Sequence, residues 1–372
     1  MIALETFEEA SESLCPAKAA ALEYLEDNVI AHTPCLKPSA GGNKRTILIV
    51  GTGSIGERHL RCFATMKRAE VALCEINATL RNSVAERYSV ERVYAHFEEA
   101  LASKPDAVVI CTPAHLHVPI ALKAARAGVS MLIEKPLGVS LEGVDDLLFE
   151  VKRRELSAAV AYVYRAHPAL RSMRDSLVSG RFGKPVQIVA VCGQHFPLYR
   201  PAYRNIYYKD RLLGGGAVQD ALTHIINAGE WLIGPIDSLI GDVGHQLLDG
   251  VSVEDTAHVL TRHGKVMGCY SLNQYQAPNE TTITVVCERG TVRFEYHENR
   301  WRWMTEPGGR WQNEQVVLFE RDTLFTLQAD SFLGTLDGRA GPLCSLEEAK
   351  QSLRINLGIL RSARDGRWIS TA

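Results

Sequence analysis

The sequence predicts an α/β protein, with a doubly wound parallel sheet first and an α+β domain carrying a large open, mainly antiparallel sheet after it. Three observations predict this. The stretch Arg45 to Gly56, RTILIVGTGSIG, runs from a short apolar strand through a glycine-rich turn into a helical pattern. From Arg45 to about residue 165 apolar runs alternate with amphipathic helical segments, which implies parallel strands joined by right-handed crossovers. Beyond residue 185 the strand-like runs follow one another through short turns such as Glu288-Arg289-Gly290, as antiparallel strands do.

The elements follow in order. Residues 1 to 30 read as an acidic amphipathic helix (Leu4, Phe7, Leu14, Leu22 and Leu25 among carboxylates), and 31 to 44 as a linker with two prolines and two glycines. Strands are expected at 46–50, 69–75, 91–94, 107–111, 129–134 and 158–164, with helices at 54–68, 78–88, 97–103, 117–127 and 140–154 between them. A helix at 167–179 leads into strands at 185–194, 236–248, 255–262, 266–274, 281–288, 291–297, 300–304 and 315–319. One helix over 215–234 interrupts that sheet, another spans 322–337, and a last one starts at Ser345, where Ser345 and Glu348 form a capping box. The domains expected are thus an extension at 1–44, a nucleotide-binding domain at 45–165, a substrate and oligomerisation domain at 166–344, and a C-terminal helix and tail at 345–372.

Composition excludes several classes. A net charge of −2 gives no basic surface for nucleic acid, and no run approaches the length of a membrane-spanning helix. The N-terminus is acidic and does not read as a signal peptide. Nine scattered cysteines, with no C-x-x-C, suggest neither a zinc site nor a disulfide framework, and a cytoplasmic location is expected.

The glycine turn carries the first chemistry. Gly51 permits the tight strand-to-helix turn, Gly53 lets backbone approach a pyrophosphate, and Gly56 lets helix and strand pack closely. The helix beginning at Ser54 and Ile55 offers free N–H groups and a positive dipole end to phosphates. Glu75 lies 19 residues after Gly56, at the end of the second strand, where its carboxylate accepts ribose hydroxyls and repels a 2′-phosphate. NAD is therefore expected to bind in preference to NADP, with Arg81 the one cation that could reach back. An ordinary turn without a ligand is the competing reading of the glycines.

Ligands on such sheets bind at the carboxyl ends of strands, and Cys111-Thr112-Pro113 and Glu134-Lys135-Pro136 fall there. A residue before proline leaves the helical region, so Lys135 projects from a strand end, where an ammonium stabilises a developing oxyanion. Asp220 and His224 sit four apart on one helix, behind Gly214-Gly215-Gly216, and a carboxylate beside an imidazole raises its basicity for proton transfer. Judged without the rest of the chain, such a pair reads first as a surface Asp–His contact. The loop 195–211, HFPLYRPAYRNIYYKDR, supplies Tyr199, Tyr203, Tyr207, Tyr208, Arg200, Arg204 and Arg211, which suit either a sugar site or a protein contact. Tyr164 and Arg165, ending the sixth strand, are expected to face the same cleft.

Taken together, G-T-G-S-I-G, Glu75, C-T-P-A-H-L-H (111–117), E-K-P (134–136) and G-G-G-A-V-Q-D-A-L-T-H (214–224) resemble the Gfo/Idh/MocA oxidoreductases over roughly residues 45 to 365. The resemblance implies an N-terminal Rossmann domain, NAD(P), a homo-oligomer (dimer or tetramer), and hydride transfer at a secondary alcohol of a sugar or cyclitol. It also implies that Lys135, Asp220 and His224 line the catalytic site, and that Thr112, Pro113, His117, Glu134 and Lys135 join the glycine turn and Glu75 around the cofactor. Two other activities fit the same family: an NAD-dependent glycosidase working by transient oxidation, and a non-catalytic NAD-binding regulator. Retention of Lys135, Asp220 and His224 speaks against the regulator. No metal is called for.

Overall fold

A computed structural model describes residues 44–314, 319–320 and 322–371. The helix and linker expected over 1–44 fall, but for Lys44, outside the described residues, as do 315–318 of the strand expected at 315–319. The last strand described before that point is instead Gln312–Asn313.

The first sheet is built from β1 (Arg45–Val50), β2 (Ala69–Cys74), β3 (Arg92–Tyr94), β4 (Ala107–Ile110), β5 (Ser130–Ile133) and β6 (Ala158–Val160). Their order is β3-β2-β1-β4-β5-β6, every pair parallel, as strands buried on both faces and joined by crossover helices must be. The crossovers are α1 (Ser54–Thr65), α2 (Ala78–Tyr88), α3 (Phe97–Ala102), α4 (His117–Arg126) and α5 (Val144–Arg153). Register brings the strand ends into line. Val50 pairs with Cys74 and Ile110, and Ile110 with Ile133, so Gly51, Glu75, Cys111 and Glu134 emerge side by side from one edge.

The sixth strand ends earlier than its apolar run suggests. After Val160 the chain leaves the ladder and closes a 3₁₀ turn over Val163–Ala166, which sends Tyr164 and Arg165 to different places.

Then α6 (Pro168–Val178) leads to β7 (Pro185–Gly193), and α7 (Thr223–Ile233) precedes β8 (Ser238–Gly244), β9 (Thr256–His263) and β10 (Val266–Asn273). The strands β11 (Glu280–Cys287), β12 (Gly290–Glu295), β13 (Arg300–Met304) and β14 (Gln312–Asn313) come after them. Last are α8 (Thr323–Leu336), α9 (Leu346–Asp365) and β15 (Ile369–Ser370). The nine-stranded order is β14-β13-β12-β11-β7-β10-β9-β8-β15, antiparallel except where β10 lies parallel to β7. Side chains alternate as a half-covered sheet requires. On β9, Ala257, Val259 and His263 are buried under the helices, while Leu260 and, on β10, Met267 stand about half exposed on the other face.

Packing does not follow chain order. Ala329, Phe332 and Leu333 of α8 lie in the apolar cluster on one face of the first sheet. Leu346, Ala349 and Leu353 of α9 lie in the cluster on its other face, while Ile355 and Ile359 of the same helix belong to the core of the second sheet. The helix α9 thus ties both sheets together. Its capping box forms as expected: Glu348 N–H donates to Ser345 Oγ at 3.2 Å and Ser345 N–H to Glu348 Oε2 at 2.9 Å.

Candidate active site

At the glycine turn, Gly51 adopts φ +83°, and a Cβ on Gly56 would collide with the Gly51 carbonyl oxygen, so both glycines are demanded by the turn itself. Gly53 is not. A Cβ there would meet nothing within 4 Å, and as N-cap of α1 it offers no side chain to the first-turn amides. Those amides open onto the strand edge.

Glu75 is held as an acceptor. Thr52 N–H donates to its Oε2 and Asn77 N–H to its Oε1, each at 2.9 Å. Arg81 reaches back, but to the carbonyl oxygens of Glu75 and Ile76, at 2.8 and 3.4 Å, and not to the carboxylate. Beyond β4 the Thr112 hydroxyl is buried without a hydrogen-bond partner, beside Pro113, which starts a 3₁₀ turn.

Two residues expected at the cofactor are spent on the frame. His117 is buried between two carbonyl oxygens just beyond β5 and β4, with Nδ1 at 2.8 Å from that of Pro136 and Nε2 at 2.7 Å from that of Thr112. Glu134 is buried with Oε1 at 2.7 Å from His59 Nε2, and its Oε2 accepts the Lys135 N–H at 3.0 Å. Burial pushes the Glu134 carboxyl up, but His59 and Lys135 hold it below its ordinary value.

Lys135 reaches across to the turn that carries Asp220. Its Nζ donates to the Asp220 carbonyl oxygen at 2.7 Å and lies 3.5 Å from Asp220 Oδ1. Tyr207 Oη donates to the same Oδ1 at 2.6 Å. Burial pushes the Asp220 carboxyl up, yet Lys135, Arg200, the Tyr207 hydroxyl and His224 pull it below the usual carboxylate value.

The expected Asp220–His224 partnership takes another form. The helix is not regular there: Val218–Leu222 is a π-turn before α7 begins, a widening often found at functional sites. Asp220 spends its hydrogen bonds on Lys135 and Tyr207, and His224 Nδ1 is buried without a partner. Burial and the neighbouring Lys135 ammonium outweigh Asp220, so the imidazole is pushed down to about 3 rather than made more basic. Its ring stacks on Tyr164 at 5.1 Å, and Tyr164 in turn on Tyr296 at 4.9 Å.

Arg165 does not face the cleft. It is 2% exposed, donating to Asn227 Oδ1 at 2.8 Å, the Leu343 carbonyl at 3.0 Å and Glu348 Oε1 at 2.5 Å, and so fastens α7 to the start of α9. The triple glycine serves the protein as well: a Cβ on Gly215 would strike the Tyr208 carbonyl, and one on Gly216 the Glu254 carboxylate. The loop 195–211 divides between its two readings. Tyr203 and Tyr208 build a small core with Phe196, Leu248 and Val253, Arg204 pairs with Asp249 and Arg211 with Glu254, while Tyr207 is bonded to the site. His59 was not expected. Its only sequence signal is that it shares the inward face of α1 with Leu60, Cys62 and Phe63, where a histidine normally reads as core.

Comparison with known proteins settles the lineage. The model of the oxidoreductase family with NAD-binding Rossmann fold matches residues 45–162, and that of the GFO/IDH/MocA C-terminal domain matches 170–293. The chain belongs to the GFO/IDH/MocA oxidoreductase family. Among curated relatives, levoglucosan dehydrogenase of Pseudarthrobacter phenanthrenivorans is 26% identical over 202 residues, 51% of this chain and 52% of that protein. Inositol 2-dehydrogenase of Rhizobium meliloti is 28% identical over 55% of this chain and 63% of its own length. This chain therefore spans little more than half of those two relatives. UDP-N-acetylglucosamine 3-dehydrogenase of Acidithiobacillus ferrooxidans is 29% identical over 80% of this chain and 90% of that protein. A solved levoglucosan dehydrogenase in complex with NADH and levoglucosan superposes with a TM-score of 0.80 at 20% identity, covering 88% of this chain and 99% of that one, which establishes the shared fold.

The GFO/IDH/MocA chain has a site that fits NAD. The uncapped first turn of α1, the open space over Gly53, the orphaned Thr112 hydroxyl and the paired Glu75 carboxylate form one row along the strand edge. Among the described residues no group of three potential ligands could hold a metal ion, and no helix is long and apolar enough to cross a membrane.

The buried imidazoles make a pH prediction. His224, at about 3, and His167, lowered by burial to about 4, refuse protons that an unfolded histidine accepts near 6.5. The unfolded chain therefore binds more protons in that window, and stability present above 6.5 is lost as pH falls toward 4. In NMR titrations the His224 ring should stay neutral well below 6.5, and Lys135→Met should raise its midpoint by removing a depressing charge. A His224 midpoint near the ordinary 6.5 in the native protein would contradict this.

Proposed function

We propose that the protein is an NAD-dependent dehydrogenase acting on a secondary alcohol of a sugar, a cyclitol or a sugar derivative. The observation that carries the reading is the meeting of Lys135, from the end of β5, with Asp220, from the other domain, one helical turn from a neutral His224. The names of the relatives support the substrate class: levoglucosan, inositol and UDP-N-acetylglucosamine are all polyhydroxylated rings.

The turn from Gly51 to Gly56, Glu75, Thr112 and Pro113 would hold the dinucleotide. Bound nicotinamide would supply the hydride acceptor or donor. Lys135 would bind the carbinol oxygen and stabilise its developing negative charge. His224, neutral at pH 7, would take the hydroxyl proton on its imidazole. Asp220 would hold the ammonium of Lys135 in place, and Tyr207 would fix the Asp220 carboxylate. Tyr164, stacked on His224, would hold the plane of the imidazole. NAD would be preferred to NADP because both Glu75 oxygens are already fixed as acceptors at the ribose edge.

A homo-oligomer belongs to the same reading. Leu260, Met267 and Val186 are about half exposed on the uncovered face of the second sheet, and a second copy would cover them. Light scattering should give a mass well above the 41.1 kDa of one chain, and a value at that mass would contradict it. Seven described cysteines are unpaired, which suits the reducing cytoplasm.

The test is NAD reduction across inositols, anhydro-sugars, sugar acids and nucleotide sugars, followed by variants. Lys135→Met and His224→Asn should each lower kcat about 10²–10⁴-fold while sparing cofactor binding. Asp220→Asn should cost less, because the 2.7 Å bond from Lys135 goes to a backbone carbonyl that the substitution keeps. Near-normal kcat in folded Lys135→Met and His224→Asn would overturn the assignment. Turnover of glycosides without consumption of external NAD would replace it with the transient-oxidation chemistry.

A further inference from the structure

We propose that His59 is a positioning residue for Lys135, acting through Glu134. The inference rests on the role given to Lys135 above, and it adds a residue that touches neither substrate nor the proposed cofactor turn.

The geometry begins with a competition. Lys135 has two carboxylates within reach of its charge, Asp220 across the cleft and Glu134 beside it in sequence. An ammonium takes whichever carboxylate is free, and the neighbour in sequence needs no domain contact to be found. Glu134 is not free. Its Oε2 is turned back over the peptide to accept the Lys135 N–H at 3.0 Å, and its Oε1 lies 2.7 Å from His59 Nε2. With each oxygen turned toward one of these donors, Glu134 holds the backbone of Lys135, and Nζ is found on Asp220 instead.

His59 is locked in place. It is fully buried on α1, three residues after Gly56, with Phe325 of α8 edge-on against the ring at 5.5 Å. Its Nδ1 is buried without a hydrogen-bond partner, so Nε2 carries the ring's whole polar function. A buried carboxylate that lost this donor would be left half-satisfied in a dry site, and the cation next to it along the chain is Lys135 itself. The helix that opens the dinucleotide turn is thereby linked to the reacting lysine by one hydrogen-bonded chain: α1, His59, Glu134, the Lys135 peptide.

Two substitutions separate this role from mere packing. His59→Gln places an amide N–H where Nε2 stood, whereas His59→Asn places one where Nδ1 stood and cannot reach Glu134. With His59 in the positioning role, His59→Asn should lower kcat by about 10–100-fold, the cost of a displaced reacting group, with the NADH Kd unchanged and His59→Gln close to wild type. Glu134→Gln, whose single amide oxygen cannot serve both donors, should reproduce the loss if His59→Asn fails to fold. A second readout is independent of turnover. His224 is flanked by Lys135, Asp220, Glu134 and Arg200, and departure of the ammonium should raise its NMR titration midpoint in His59→Asn and not in His59→Gln. That shift decides the proposal even if no sugar substrate is found for the wild type. Equal behaviour of the two His59 variants, whether both active or both damaged, would overturn it.

Discussion

One contact organises the molecule: the Lys135 ammonium on Asp220. It joins the carboxyl edge of a parallel sheet to a helix of a second domain, in a place where neither partner is well hydrated. A charge so placed needs its counter-charge, and the structure supplies it through elements far apart in sequence. The end of β5 aims the lysine, the π-turn before α7 presents the aspartate, and the loop 195–211 contributes Tyr207 to fix the carboxylate. Burial, helped by the same ammonium, keeps His224 neutral. A site of this kind is assembled only when both sheets are in register, which is the work of α9 and the buried Arg165.

Much of this was legible from residues. The alternation of apolar runs and helical patterns predicts the parallel sheet because both faces of each strand are buried, and that leaves a continuous signal. The glycine turn, Glu75 and the capping box at Ser345 are likewise local, and each is found where its own chemistry puts it. Lys135 and Asp220 do meet, with His224 near enough to feel both charges. What one sequence could not show is how the polar groups divide their hydrogen bonds, since that depends on tertiary neighbours.

Three places in the chain show why. Arg165 follows Tyr164 directly, but the strand stops at Val160 and the 3₁₀ turn beyond it sends the guanidinium inward to Asn227 and Glu348. His117 stands in the run that resembles the family's cofactor loop, and it is buried between two backbone carbonyl oxygens. Asp220 and His224 have helical spacing, but the turn widens at Asp220 and the carboxylate goes to Lys135. In each case a side chain with several possible partners chose the one that burial left unsatisfied. His59 is the converse, a core histidine by every local sign that becomes polar only because Glu134 lies against it.

If Lys135 and Asp220 form one unit across the cleft, their substitutions cannot act independently. A double-mutant cycle on kcat/KM measures this directly, using Lys135→Met, Asp220→Asn and the pair. Strong non-additivity is expected: with Lys135 already removed, Asp220→Asn should cost little further rate, because the group it holds is gone. Rate losses that multiply, each substitution costing the same with or without the other, would show that the two residues work separately and would contradict the coupling.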